Sequence, residues 1–192
     1  MTTQETTLHT TAIFSEDGRK RYLLRKVWSP ELPKLAIIML APNDATTVAL
    51  DNSSMFCINN AHRLHYGSID ILNLFATIGD FSLKQAEAED PENMEVILRS
   101  CAQADTIVYA PGVGKSKNKL FALHQEQVLS ALSKYEEKLH CLSNANGSAR
   151  LQHPLSPAVR TWTLSPLKVS ELLPAPSEPE PKQKKKGKSM TI

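Results

Sequence analysis

Two kinds of apolar pattern alternate along the chain. "RYLLRKVW" and "KLAIIMLA" read as strands on either side of a proline-bearing turn, "SPELP". "LAIIML" is apolar at every position, as in a strand buried on both faces. "NSSMFCINNAHRLHY" changes to helical spacing, with Met55, Ile58 and His62 in step and Phe56 and Ala61 nearby. "SIDILNLFA" is the next buried strand. "DPENMEVILRSCAQA" opens with helix start signals: Asp90 as N-cap, Pro91 in the first turn and Glu92 behind it. "DTIVYA" predicts a strand, and "KNKLFALHQEQVLSALSKY" an amphipathic helix with Leu120, Leu123, Val128 and Leu132 near one face. "KLHCLSN" is a strand, and "AVRTWTL" is read as one more.

This order predicts an α/β fold, a three-layer sandwich with a mostly parallel central sheet. Ligands of such sheets bind beyond the carboxyl ends of the strands. Chemistry is therefore sought in "APNDATT", "NLFATIGD", "APGVGKS", "SNANGSA" and the stretch around "HPLSP".

With 192 residues, the chain is long enough for one domain with a real core. Residues 1–12 are expected to be a disordered lead, 13–173 the domain, and 174–192 a disordered tail rich in proline and lysine. That tail contains "KQKKKGK", five lysines in seven residues, which reads as a solvated end or as an arm that touches phosphates. A net charge of +2 sets up no global field for nucleic acid or membrane. No run is long and apolar enough for a membrane span, and "MTTQETTLHTT" lacks the regions of a secretory signal, so a cytoplasmic protein is expected. Cys57, Cys101 and Cys141 are odd in number and widely spaced, which argues for buried small residues rather than disulfides or zinc. His62 and His65 stand three apart on the expected helix without a further ligand, so no metal is expected, nor any cofactor.

"VYAPGVGKSKN" looks like half of a phosphate-binding loop. The full motif needs a glycine five residues before Gly114, and that position is Tyr109, inside the strand. No later strand ends in an aspartate that could hold Mg²⁺. The glycines instead let the backbone turn close to a ligand or to a neighbouring strand.

The order "IIMLAPNDA…LDNSS…IDILNLFAT…DPEN…IVYAPGVGK…LQHPL", from about Arg21 to Trp162, resembles the bacterial family numbered 1643 in the domain-of-unknown-function series. That family brings no activity with it. The chain departs from the family's pattern at Ala41, where Asn is usual, and at Ala110-Pro111, where Trp is. More distantly, the pieces are similar to those of the uracil-DNA glycosylase superfamily. That resemblance implies a glycosylase-like fold. It makes "IIMLAPND" the turn that activates water, "IDILNLF" the strand whose Asn73 reads a base edge, and "HPLSP" the loop whose His153 stabilises the departing base.

Breaking an N-glycosidic bond needs a group that positions water and a donor beside the base oxygen. A base out of its stack also needs edge hydrogen bonds and stacking. The resemblance assigns His153 and Asp44 to catalysis, and Pro42, Asn43, Asn73, Phe75 and Gly112 to substrate binding. Ala41 can neither move a proton nor position water; Asn43, Asp44 or Asp51 would have to substitute. The expected function is recognition of a nucleobase, in single-stranded nucleic acid or in a nucleotide, with weak or no glycosylase activity. Two alternatives stay open: an adaptor with no small-molecule site, and a nucleotide hydrolase using "GVGKS". Each site residue also has an ordinary use, as a strand-end cap, a surface loop residue or a turn residue.

Overall fold

The computed structural model describes residues 1–43, 47–79, 90–113, 118–148 and 150–173. The expected tail, Asp44 and the "GKS" of the glycine loop lie outside these residues. Among the described residues, seven strands form one sheet: β1 (His9–Phe14), β2 (Arg21–Val27), β3 (Lys34–Met39), β4 (Ser68–Asn73), β5 (Thr106–Tyr109), β6 (Leu139–Ser143) and β7 (Thr163–Pro166). Three α-helices among the described residues accompany it: α1 (Asn52–Arg63), α2 (Pro91–Gln103) and α3 (Lys119–Leu132). The strands lie in the order β1-β2-β4-β3-β5-β6-β7. Pairings β4–β3, β3–β5 and β5–β6 are parallel, while β1–β2, β2–β4 and β6–β7 are antiparallel. The sheet is thus mixed rather than mostly parallel, with four parallel strands at its centre and antiparallel strands on both flanks.

The central strands face apolar layers on both sides, which is why they read as unbroken apolar runs. On one face, Cys57 and Ala61 of α1 join Leu35, Ile37, Ile69, Ile71 and Val108, and Trp162 closes the layer. On the other, α2 and α3 bring Val96, Ile97, Phe121, Val128 and Leu132 against Ile38, Leu72, Ile107 and Cys141. Each helix begins with a side-chain cap: Asp51 accepts from the Ser54 N–H, Asp90 from Asn93 and Asn118 from Phe121. The three cysteines are buried and free.

Three further expectations change. Residues 9–12, assigned to a disordered lead, belong to β1, and the cause lies on its neighbour. Lys26 is 1% exposed, and its Nζ donates to Thr10 Oγ1 at 2.8 Å and to the Thr47 carbonyl at 2.9 Å. A buried ammonium needs such partners, and Thr10, directly opposite Lys26, supplies one. The stretch "AVRTWTL" is a strand only from Thr163. Before it, Pro157–Val159 form a 3-10 turn, and α1 takes the Trp162 backbone, its N–H donating to Asn60 Oδ1 at 3.0 Å and its carbonyl accepting from Arg63 at 2.7 Å. Finally, α1 ends at Arg63, so His65 lies beyond it with a left-handed backbone (φ 63°) and does not share a helical face with His62.

Candidate functional site

β3, β4 and β5 run parallel, so their carboxyl ends meet along one rim. The β3–β4 ladder continues past both strands: Leu74 and Phe75 N–H groups donate to the Met39 and Leu40 carbonyls at 2.9 and 3.0 Å. Beyond β3 the chain turns through Ala41, Pro42 and Asn43, and beyond β5 through Pro111 and Gly112. A cavity of about 470 Å³ lies there, walled by both turns and by Gln152, His153 and Ser156. Its size suits a small-molecule site, typically about 300–1,000 Å³.

Gly112 fixes the distance between two of these walls. Its φ of +88° is a left-handed value, and an added Cβ would stand 3.3 Å from His153 Cβ. Only glycine allows this turn to sit so close to the histidine loop. That loop starts at Leu151, a non-glycine residue at φ 57°, and the Gln152 N–H reaches back to the Leu142 carbonyl at 3.3 Å.

His153 Nδ1 accepts a hydrogen bond from the Leu155 N–H at 3.2 Å. Burial lowers the pKa of its ring below the ordinary histidine value, and the Asp51 carboxylate opposes that shift without cancelling it. The ring is therefore neutral at pH 7. Because Nδ1 is an acceptor, its proton sits on Nε2. His153 thus offers a neutral N–H donor at the cavity wall.

Behind the wall stands Asp51, the N-cap of α1. Its Oδ1 accepts from the Ser54 N–H at 2.6 Å and its Oδ2 from Asn43 Nδ2 at 2.7 Å. Burial would raise its pKa, but these hydrogen bonds and the nearby Arg21 charge outweigh burial and keep it below the usual carboxylate value. Arg21 is 2% exposed and its guanidinium reaches the Asn43 carbonyl at 3.5 Å. A β-bulge aims it there. Ile13 and Phe14 pair with Leu23 and Arg21, leaving Tyr22 as the extra residue. Leu23 and Tyr22 consequently both pack in the α2–α3 layer, while Leu24 and Arg21 face the α1 side. Burial lowers the Arg21 pKa, and Asp51 counters it. Sequence reasoning missed Arg21, because nothing in "RYLLRKV" announces a bulge. It weighed Asp51 only as a substitute, although Asp51 before "NSSM" carries a helix-start signal.

The structure brings Pro42, Asn43, Gly112 and His153 to one cavity. Asn73 and Phe75 lie on the same rim but do not line it. Asn73, at the end of β4, is 1% exposed; neither its amide nitrogen nor its amide oxygen has a hydrogen-bond partner among the described residues. Its backbone carbonyl and that of Leu74 both accept from Asn93 Nδ2, at 3.0 and 3.1 Å, which pins β4's end to α2. Phe75 is 4% exposed and stacks on His124, with ring centroids 4.6 Å apart and 13° between planes. It packs in the α2–α3 core rather than on the cavity wall. Asp44 lies outside the described residues, and the carboxylate seen beside the cavity is Asp51. Among the described residues, no group of three or more His, Cys, Asp or Glu is placed to hold a metal. Nor is any helix among them long and apolar enough to cross a membrane.

A family model described as "Protein of unknown function (DUF1643)" matches residues 21–155, more than two thirds of the 192-residue chain. No curated protein matches the chain.

Proposed function

Because the chain belongs to the family of unknown function DUF1643, whose description assigns no activity, we propose from the site's chemistry that the protein recognises a nucleobase. The base is carried by single-stranded nucleic acid or by a nucleotide, and turnover of the glycosylase kind is weak or absent. The observation that carries this reading is His153. It is a neutral imidazole with an Nε2–H donor, on the wall of a cavity at the carboxyl ends of β3 and β5. A base carbonyl is an acceptor that such a donor fits.

Two further features support it. Asn73 holds a buried amide at the end of β4, beside β3, with neither its nitrogen nor its oxygen partnered among the described residues. That pair complements the donor–acceptor edge of a pyrimidine, and reaching it requires the rim to open, because the amide does not line the cavity. Ala41 lines the cavity where water activation would be needed, and a methyl group gives none. Lost base or water-positioning help lowers a rate by about a hundredfold or more, so binding outlasts turnover. The finer fold reading, a glycosylase-like sandwich, belongs to the same proposal, as does a cytoplasmic location. The lysines of residues 182–188 would add phosphate attraction that weakens with salt.

The test is binding of uracil-containing and hypoxanthine-containing single strands by fluorescence anisotropy, with abasic-site formation measured alongside. Salt-sensitive binding weakened by Asn73→Asp and His153→Ala is expected. A rise in abasic sites for Ala41→Asn that vanishes with His153→Ala is expected as well. Strong wild-type cleavage indifferent to His153→Ala would overturn the assignment. Mg²⁺-dependent nucleotide binding lost in Lys115→Ala would favour the hydrolase instead.

A further inference from the structure

The two edges of the sheet are finished differently. β7 forms one edge and is closed: it has four residues, its last, Pro166, has no N–H, and the Pro166 carbonyl accepts from Arg150 Nη2 at 2.7 Å. β1 forms the other edge. Its six residues, "HTTAIF", include no proline and no Asp, Glu, Lys or Arg, the residues that keep edge strands from pairing. Among the described residues, no strand covers its outer side. We propose that β1 is an interaction surface whose partner is a second copy of this chain, paired antiparallel through β1 about a twofold axis at Thr11.

Backbone directions decide what β1 presents outward. The Trp28 N–H donates to the Gly67 carbonyl at 3.0 Å, so Trp28, Lys26 and Leu24 turn their backbone groups to β4. Val27, Arg25 and Leu23 therefore turn theirs to β1, where they meet His9, Thr11 and Ile13. Ser15 keeps the same phase, its N–H donating to the Lys20 carbonyl at 3.1 Å. The N–H and C=O groups of Thr10, Ala12 and Phe14 consequently point away from the sheet. The bulge does not interrupt them, because its extra residue, Tyr22, lies in β2.

Side chains fix the register and the occupant. Leu8 and Phe14 are 47% and 41% exposed, and they stand at equal distances along the chain on either side of Thr11. Both belong to the α1 face: Leu8 shares a cavity wall with Ile58 and His62 of α1, and Phe14 stands opposite Arg21. Residues directly opposite in an antiparallel pair share a face. A twofold axis at Thr11 sets Leu8 of each copy against the partner's Phe14, and Thr10 against the partner's Ala12. Both exposed apolar side chains are then covered, and the outward backbone groups meet their counterparts. An axis at Thr10 would instead set Phe14 against the partner's Thr6, and one at Ala12 against the partner's Thr10. The complement of this edge is thus in the chain itself, which makes a second copy, rather than an unrelated strand, the occupant. One short strand pair buries little area, so the dimer exchanges with the monomer.

The experiment is sedimentation velocity of the full chain from about 5 to about 500 µM, paired with a cross-linking test of the register. The mean mass is expected to rise with concentration from 21.3 kDa toward twice that value. Ala12→Pro removes an outward N–H from each copy and no bond to β2. It is expected to weaken the dimer about tenfold while its Tm stays within about 3 °C of wild type. Thr11→Cys puts two thiols across the axis, at a Cα separation of about 4.5 Å, and is expected to form a disulfide dimer with oxidised glutathione. His9→Cys, on the same face of the same strand, stands opposite the partner's Ile13 and is expected to cross-link about tenfold more slowly or less. Cys57, Cys101 and Cys141 are buried and do not compete. A mass fixed at 21.3 kDa over the whole range would overturn the proposal. So would equal cross-linking of the two cysteine variants, or a folded Ala12→Pro protein that dimerises as the wild type does.

Discussion

Replacing Gly112 by alanine separates the two roles given to that residue, backbone turn and close approach to His153. A left-handed backbone costs a non-glycine residue about 1–2 kcal/mol. Stiffening of the unfolded chain returns about 0.4–1 kcal/mol of this, so a net loss of about 1 kcal/mol in stability is expected from strain alone. Gly18 provides the control: its φ is +71° and an added Cβ there meets nothing within 4 Å. Gly18→Ala should therefore show the same loss in urea unfolding. At Gly112 the new methyl also stands 3.3 Å from His153 Cβ, short of the usual carbon contact by roughly 0.2–0.7 Å. The histidine loop must retreat by a similar amount, carrying Nε2 with it. Weakening one hydrogen bond worth about 0.5–1.5 kcal/mol lowers affinity about twofold to tenfold. The assay is anisotropy with a uracil-containing single strand, run on both variants under conditions where both are fully folded. Gly112→Ala should lose affinity and Gly18→Ala should not. Equal affinities for the two variants would refute the claim that Gly112 sets the position of a ligand-binding histidine.

Other outcomes follow from buried charges. Asp70 is fully buried, with Arg25 Nε and Nη2 on its two oxygens at 2.6 and 2.7 Å and Lys34 Nζ at 2.8 Å. Burial pushes its pKa up, but these cations win and hold it low. Asp70→Asn should cost about 2–3 kcal/mol in urea unfolding, below the full cost of breaking a buried pair because both cations retain solvent contact. The depressed folded pKa also means that wild-type stability is present above pH 3.8 and lost as pH falls below it; Asp70→Asn should lack that part of the acid transition. For His153 the folded pKa lies below 6.5, so the unfolded chain takes up the proton first and stability falls as pH drops through and below 6.5. Ligand affinity should fall only at lower pH, through the lowered pKa of the folded ring, because a protonated Nδ1 can no longer accept from Leu155; His153→Ala should flatten both profiles. In the opposite direction, His65→Gly should stabilise the fold by about 1 kcal/mol, read from the urea midpoint.

Much of the α/β architecture was legible because central strands and amphipathic helices leave different periods. "LAIIM" and "SIDILN" are buried throughout, and Asp90, expected as an N-cap from the sequence, caps α2. β1 was hidden because its burial is partial and its anchoring depends on Lys26, a lysine that patterning places in solvent. The antiparallel flanks were hidden too, since strand direction is set by which edges remain free to pair. Strand-end reasoning named Pro42, Asn43, Gly112 and His153, and these four line one cavity because turns after parallel strands share one rim. It could not find Arg21, whose direction depends on a bulge, and it could not see that Phe75 would be taken by His124.

The most direct measurement of the central claim is ¹⁵N NMR of the histidine rings, with His153 assigned by its absence in His153→Ala. At pH 7 the account predicts a neutral ring protonated on Nε2, because Nδ1 accepts from Leu155. It also predicts a saturable change at Nε2 when a uracil-containing single strand is added. A ring protonated on Nδ1, or an Nε2 signal unmoved by a strand that the protein binds, would contradict it.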